Sequence, residues 1–330
     1  MSSSVLCINV GSSSVKLASF ETQPELHEIA RGSFSTNELS EAALVGFAKS
    51  PTVVVHRFVH GGPNHFGPAV INGTLIRDLE AVAGLAPLHM TAALSTLNLA
   101  RSAFPDARQV ACFDTAFHHN LPEVAARYAL PSNAIGTAVR RYGFHGLSCE
   151  HVVTTLDPKL AKRCVIAHLG SGCSVTAVRN GQSVDTSMGF TPIGGVIMAT
   201  RPGDLDPGLV LYLLRQGHSH GEIEEMLTRE AGLHALAGEH AMASILARDD
   251  ADARFAVDFF CYRIAHYVGA YGVMLGGLDS LVFTGGIGEN SADIRTRIVS
   301  AVNALQPFET VVVAANEELV MAHHGLRVAV

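Results

Sequence analysis

An apolar run at residues 5–8 breaks at Asn9 and Gly11 into three serines, then resumes as an alternating pattern around Lys16. Alternation through "KLASF" predicts a second strand rather than a helix, so residues 5–34 read as three short strands with turns near 11–13 and 21–25. "STNELSEAALVGFAKS" opens on cap-type residues and carries helical spacing. "TVVVHRFVHGG" is a buried strand ending in paired glycines, helical patterns cover 73–83 and 90–104, and "RQVACFDTAFHHN" is a further strand that stops at Asp114. The first 115 residues therefore predict the order βββαβααβ.

That opening recurs later in the chain. "KRCVIAHLGSGCSVTAVRNGQSVDTSM" reads as a strand, a Gly/Ser turn, a strand, a hairpin turn at Asn180 and Gly181, and a third strand. Set beside "LCINVGSSSVKLASF", the stretch "VIAHLGSGCSVTAVR" repeats strand, turn and strand with little identity, which points to an internal duplication. Helices are predicted over 207–215, 220–230 and 251–275. "LDSLVFTGGIGENS" reads as a strand running into glycines and a helix that starts near Asn290. A strand at "TVVVAA" and a last helix from Asn316 return the chain to its beginning. The predicted class is α/β in two domains, residues 1–115 with 316–330 and residues 116–315.

Composition narrows the class of partner. At 330 residues, 48% hydrophobic and 16% charged, the chain is a globule with enough length for two cores. The long apolar stretch 255–278 contains Asp258, Arg263 and His266, so it predicts a buried helix and not a membrane span. Six cysteines stand singly without a C-x-x-C pair, and "MSSS" lacks the basic region of a secretory leader, so buried reduced thiols and a cytoplasmic location are expected. A formal charge of −7 argues against non-specific nucleic-acid binding, and no membrane partner is expected.

The candidate chemistry gathers at turns and strand ends. Only four of the 23 basic residues are lysines, and one of them, Lys16, follows a Gly/Ser turn. The P-loop pattern is not met, because no glycine precedes Lys16, so a phosphate site here is a hairpin. Two such hairpins facing each other across a cleft would surround a polyphosphate with backbone N–H groups. Gly285, Gly286 and Gly288 form a third turn suited to anions, ahead of a helix N-terminus. Arg57 interrupts an apolar run and must be paired or functional. It either forms a buried ion pair with Asp114 or joins Arg201 in clamping a carboxylate and a phosphoryl group, both of which match planar guanidinium. Among 17 histidines none has zinc spacing. The pairs 118–119 and 323–324 read as satisfied polar structure, whereas His89, His145 and His168 occupy cleft-lining places.

In order, "INVGSSSVKL", "HRFVHGG", "PLH", "FDTAFHHNLP", "YGFHG", "AHLGSGCSV", "SMGFTP", "TRPGDLDPG", "FTGGIGENS" and "NEELVMA" resemble the motifs of acetate kinases and the similar propionate kinases. The resemblance spans residues 5 to about 322. It implies the actin-like ATPase fold, two duplicated RNase H-like domains with a cleft between them. It further implies reversible transfer of the ATP γ-phosphoryl group to acetate, with Mg²⁺ as cofactor, and a homodimer. Matched residue by residue, Ser12, Ser14 and Lys16 lie around the phosphates. Asn9 and Glu317 serve the Mg²⁺ shell, and Asp114 lies near the metal. Arg57 and Arg201 clamp carboxylate and γ-phosphoryl, His145 stabilises the transition state, and His89 and His168 flank it. Val59, Leu88, Phe144 and Pro192 match the apolar pocket for the acyl methyl group. Gly170, Ser171, Gly172, Gly285, Gly286 and Gly288 match the nucleotide side.

The chain departs from the family pattern in several places. It is shorter between Lys16 and Arg57 and between Gly286 and Glu317. "GLHALAGEHAMASIL" has Glu239, His240, Ala241 and Ala243 where the family shows serines followed by D-x-R around adenosine. Ser171 stands in place of an asparagine, Pro202 in place of a serine and Gly194 in place of an acid. Alternatives to an ATP-dependent acetate kinase are a propionate kinase, the same chemistry with pyrophosphate or another nucleotide as donor, and a non-catalytic nucleotide-binding regulator.

Overall fold

The N-terminal apolar run forms β1 (Ser4–Val10), which returns as β2 (Ser14–Glu21) and β3 (His27–Ser35) in an antiparallel meander. The computed structural model describes residues 4–11, 14–23, 25–36 and 38–329, with the backbone alone at Leu88. Its first unit comprises Met1–His119, Phe144–His151 and Asn316–Val330. Here β1 runs parallel to β4 (Val53–Phe58), and β4 parallel to β6 (Arg108–Phe113). A two-residue edge strand, β5 (Ala69–Val70), pairs antiparallel with β6, giving the order β3-β2-β1-β4-β6-β5. Val5, Cys7, Val55, Val110 and Cys112 on one face of this sheet pack against Val320, Met321 and Ala322 of the C-terminal helix Glu317–Val328. The predicted return of the chain's end to its beginning is thus observed, and burial of two apolar faces against each other drives it.

The second unit comprises Asn120–Gly143 and Val152–Ala315. Its meander is β7 (Arg163–Leu169), β8 (Cys173–Arg179) and β9 (Gln182–Thr186), followed by the parallel strands β10 (Ser280–Thr284) and β11 (Glu309–Val312). The order β11-β10-β7-β8-β9 repeats that of the first unit. In both, three meander strands are followed by two parallel ones placed on the far side of the first. The duplication suggested by two short stretches of sequence therefore extends to whole-sheet topology. Helix Ala251–Leu275, capped by the Asp250 side chain and ended by left-handed Gly276, packs on β7 and β8.

Four differences from the sequence reading have local causes. The helix after "PLH" begins at Pro87 rather than Met90, because proline is preorganised for the first helical position. Helix Gly285–Asn290 starts directly after β10 instead of near Asn290, and a second helix, Ala292–Ala301, follows under a Ser291 cap. The helix over 220–230 changes from α at His220–Glu225 to π at Met226–Glu230. Residues 116–119 and 144–151 lie in the first unit: Gly146 N–H donates to Asp114 O, His118 Nε2 to Phe144 O, and Leu147 joins the core beneath the C-terminal helix. All six cysteines are buried thiols outside any disulfide, and among the described residues no helix is long and apolar enough to cross a membrane.

Candidate active site

In the first unit, parallel pairing brings the carboxyl ends of three strands side by side. Register pairs Ile8 with His56 and Arg57 with Cys112, so Asn9, Arg57 and Asp114 emerge at one edge, where open α/β sheets bind ligands. Asp114, fully buried, receives Arg57 in a fork: Nε donates to Oδ1 at 2.9 Å and Nη2 to Oδ2 at 2.6 Å. Arg57 Nη1 donates to Asn9 Oδ1 at 2.8 Å and lies 3.7 Å from Glu317 Oε2. Asn9 Nδ2 completes the network by donating to Glu317 Oε2 at 2.8 Å and Glu318 Oε1 at 2.6 Å. Burial alone would lower the Arg57 pKa, but Asp114 and then Glu317 raise it above its usual value, so the guanidinium is charged. Burial pushes the Asp114 carboxyl up, and Arg57 opposes that shift through charge and hydrogen bonds.

Backbone geometry aims the next residues. His145 adopts φ +56°, in the left-handed region, at a cost of order 1–3 kcal/mol. Two contacts hold it there. Its backbone N–H bonds the Asp114 carboxylate, and the following Gly146 lies so close that a Cβ would stand 2.1 Å from Asp114 O. Phe144 is buried with its ring 5.6 Å from that of His60, and Val59, just past β4, is buried too. Lys16 is exposed on β2 directly opposite Asn9, so both side chains share one face. Half-buried Ser14 closes the hairpin by accepting Gly11 N–H at 2.8 Å. His89 is half-buried in the first turn of its helix. Ser12 and the side chain of Leu88 lie outside the described residues.

The second unit assembles a glycine-lined turn. His168 pairs in register with both Ser174 and Thr284, at the carboxyl ends of β7 and β10. Gly170 N–H donates to Gly172 O across the turn at Ser171, and a Cβ on Gly170 would lie 3.9 Å from both Gly286 N and His168 Nε2. Gly285 has φ +77°, and a Cβ there would be 2.8 Å from Leu169 O, so the strand can turn into its helix only at glycine. Gly288 follows in the same short helix. Ala199 N–H donates to Ser171 O and Met198 N–H to Arg201 O, which ties the "MATRPG" turn to the glycine turn. Arg201 Nη1 donates to the carbonyl of buried Pro192 at 2.6 Å. Among the described residues no carboxylate pairs with Arg201, and burial pushes its pKa down to about 10, still charged at neutral pH.

The sequence reading missed two participants. Glu318 is the second acid of "NEEL", and Arg31, which donates from Nη1 to Glu318 Oε2 at 2.7 Å, lies 287 residues away on β3. The doubled acid at a helix N-terminus was the available signal for Glu318; Arg31 had none. In the divergent stretch the Glu239 Oε1 accepts from the N–H groups of His240 and Ala241 ahead of helix Met242–Leu246.

Residues 33–310 match a family model described as the acetokinase family. An acetate kinase of Rhodopseudomonas palustris is 40% identical over 341 residues, covering 90% of this chain and 86% of that one. One from Nitrobacter hamburgensis is 41% identical over 337 residues, covering 89% and 83%. Among solved structures, a propionate kinase from Francisella tularensis gives a TM-score of 0.88 at 32% identity, over 99% of this chain and 100% of that one. The acetate kinase of Porphyromonas gingivalis gives 0.84 at 30%, over 99% and 100%. These likenesses assign the actin-like ATPase fold, and together with the matched motifs they carry the conclusion that the chain belongs to the acetokinase family.

Proposed function

We propose that this protein phosphorylates a short-chain carboxylate, acetate in the first instance, moving the γ-phosphoryl group of ATP to give an acyl phosphate and ADP, reversibly. The observation that carries the reading is the network of Asn9, Arg57, Asp114 and Glu317 at the carboxyl ends of β1, β4 and β6 in a member of the acetokinase family. A carboxylate is already ionised at neutral pH, so its oxygen attacks the γ-phosphorus in line without a base. Asp114 then serves to orient Arg57. Such transfer depends on positioning and on neutralising the phosphoryl oxygens, roles assigned to Arg57, Arg201, His145 and Lys16. Ser12 and Ser14 line the phosphate hairpin, His89 and His168 flank the reacting groups, and Val59, Leu88, Phe144 and Pro192 take the acyl methyl group. Gly170, Ser171, Gly172, Gly285, Gly286 and Gly288 offer backbone to the nucleotide.

The donor set around Glu317, Asn9 and Asp114 is all oxygen, which fits Mg²⁺. Bound there, Mg²⁺ would supply charge neutralisation on the phosphates. Helix Pro207–Arg215 exposes Leu209, Leu211, Tyr212 and Leu214, an apolar surface that favours the homodimer of our reading. Six buried cysteines outside any disulfide agree with a cytoplasmic location.

Acyl phosphate trapped as hydroxamate, from acetate or propionate with Mg²⁺ and ATP, GTP or pyrophosphate in parallel, tests the proposal. Turnover with acetate and ATP is expected. Turnover with another donor alone would make the Glu239–Ala243 stretch a specificity switch, and silence with all three from folded protein would overturn the enzyme reading.

A further inference from the structure

The side-chain amide of Asn9 is fully committed. Its oxygen accepts from Arg57, and its two N–H groups go to Glu317 and Glu318. Turned over, the amide would set donors against a guanidinium and an oxygen against two carboxylates, so every bond would become a repulsion. Its orientation is therefore dictated by the charges around it.

The two carboxylates are not equivalent. Glu317, 3.7 Å from Arg57, is on the proposed reading the group that turns to a cation and the phosphates. Glu318 is buried and bridges: Oε1 takes Asn9, and Oε2 takes Arg31 Nη1 at 2.7 Å. Arg31 is gripped in turn by both oxygens of Glu28, at 2.9 and 2.6 Å, and by Asn316 Oδ1 at 3.0 Å. That same Asn316 oxygen caps the C-terminal helix by accepting Leu319 N–H.

We infer that Glu318, anchored by Arg31, is a positioning residue that locks the Asn9 amide with its oxygen toward Arg57. The link to catalysis rests on the roles proposed for Asn9 and Glu317; the lock itself is a property of the ligand-free chain. Neither Glu318 nor Arg31 touches reacting atoms. Their part resembles that of partners that orient metal ligands from behind, whose loss costs about 10–100-fold in metal affinity or activity.

The test uses the whole chain in two arms. Without nucleotide or metal, NMR follows solvent exchange of the Asn9 side-chain amide protons, identified by their loss in Asn9→Ala. With substrates, the Mg²⁺ concentration giving half-maximal rate is compared with kcat. Glu318→Gln supplies one acceptor where the carboxylate uses two, and Arg31→Met removes the anchor at a half-exposed edge position, with thermal melting of both variants confirming that they fold. Both are expected to speed Asn9 amide exchange and to raise half-saturating Mg²⁺ by about tenfold while kcat at saturation changes less than about twofold, with Arg31→Lys recovering part of the loss. Unchanged Asn9 exchange in both variants would overturn the lock. Faster exchange with unchanged Mg²⁺ dependence would overturn its role in positioning. A wild-type chain that forms no acyl phosphate would refute the functional reading, and the NMR arm would still decide the lock.

Discussion

Arg57 and Arg201 are both half-buried guanidinium groups, and the two units treat them in opposite ways. In the first unit Arg57 enters a closed network in which Asp114, Asn9 and Glu317 answer its charge. In the second, Arg201 has the carbonyl of Pro192 and, among the described residues, no carboxylate. One site is neutralised before any ligand arrives, and the other holds a desolvated positive charge for which an anion is the natural partner. Withdrawing a charge from water without a carboxylate partner costs stability unless something offsets it, so on the proposed reading the Arg201 arrangement trades folding energy for anion affinity.

The largest effects should come from breaking each arrangement in turn. Both Arg57→Ala and Arg201→Met are expected to lower kcat by about 10³-fold, the usual scale for losing a charge that stabilises a transferring phosphoryl group. Their effects on folding should have opposite signs. Arg57→Ala strands the buried Asp114 and should cost about 3–5 kcal/mol, whereas Arg201→Met removes an unpaired cation and should be neutral or stabilising. Thermal melting beside the rate assay separates the two. Loss of stability in Arg201→Met comparable to that in Arg57→Ala would show that Arg201 has a partner of its own.

Acid should sharpen the same contrast. His56, bonded to Gln109, and His118, bonded to Phe144 O, are buried in the first unit, and burial pushes both down to about 4. The folded value lies below the unfolded one near 6.5, so the unfolded chain takes the proton first. Stability is intact above about pH 6.5 and is lost as pH falls toward 4, by roughly 3 kcal/mol per histidine. In the second unit Asp185 works in the other direction, because burial raises its carboxyl and protonation relieves that penalty. Hydrogen exchange across pH 7 to 4 should therefore loosen β4 and β6 before β7 and β10, and His56→Gln should reduce the slope.

How far the molecule could be read from its sequence follows the same division. The meanders, the long helix 251–275 and the return of the C-terminus were legible because strand alternation, turn residues and caps are local signals. Local signals misled where glycine begins a helix: Gly285 and Gly286 read as loop, although Gly285 is there for its positive φ and to clear Leu169 O. Arg57 and Asp114 announced themselves as charges ending apolar runs, but their fork depends on β4 lying beside β6. Arg31 gave no sign, because an arginine on an edge strand is ordinary until a helix 287 residues later sets Glu318 beside it.

The smallest predicted effect examines the glycine turn, where conformation and space can be separated. Gly285 is constrained by its positive φ, but Gly286 is not, and a Cβ on Gly286 would meet nothing within 4 Å. Alanine there should stabilise the chain slightly, by about 0.5–1 kcal/mol, because it reduces the freedom of the unfolded state and suits a helix. If the open space beside Gly170 and His168 receives the phosphoryl donor, the added methyl group should still raise KM for the donor severalfold while KM for acetate is unchanged. Stability and donor binding would then move in opposite directions in one variant. A Gly286→Ala protein that is more stable with KM for the donor unaltered would place the phosphates elsewhere, leaving Arg201 as the anion-binding feature of the second unit.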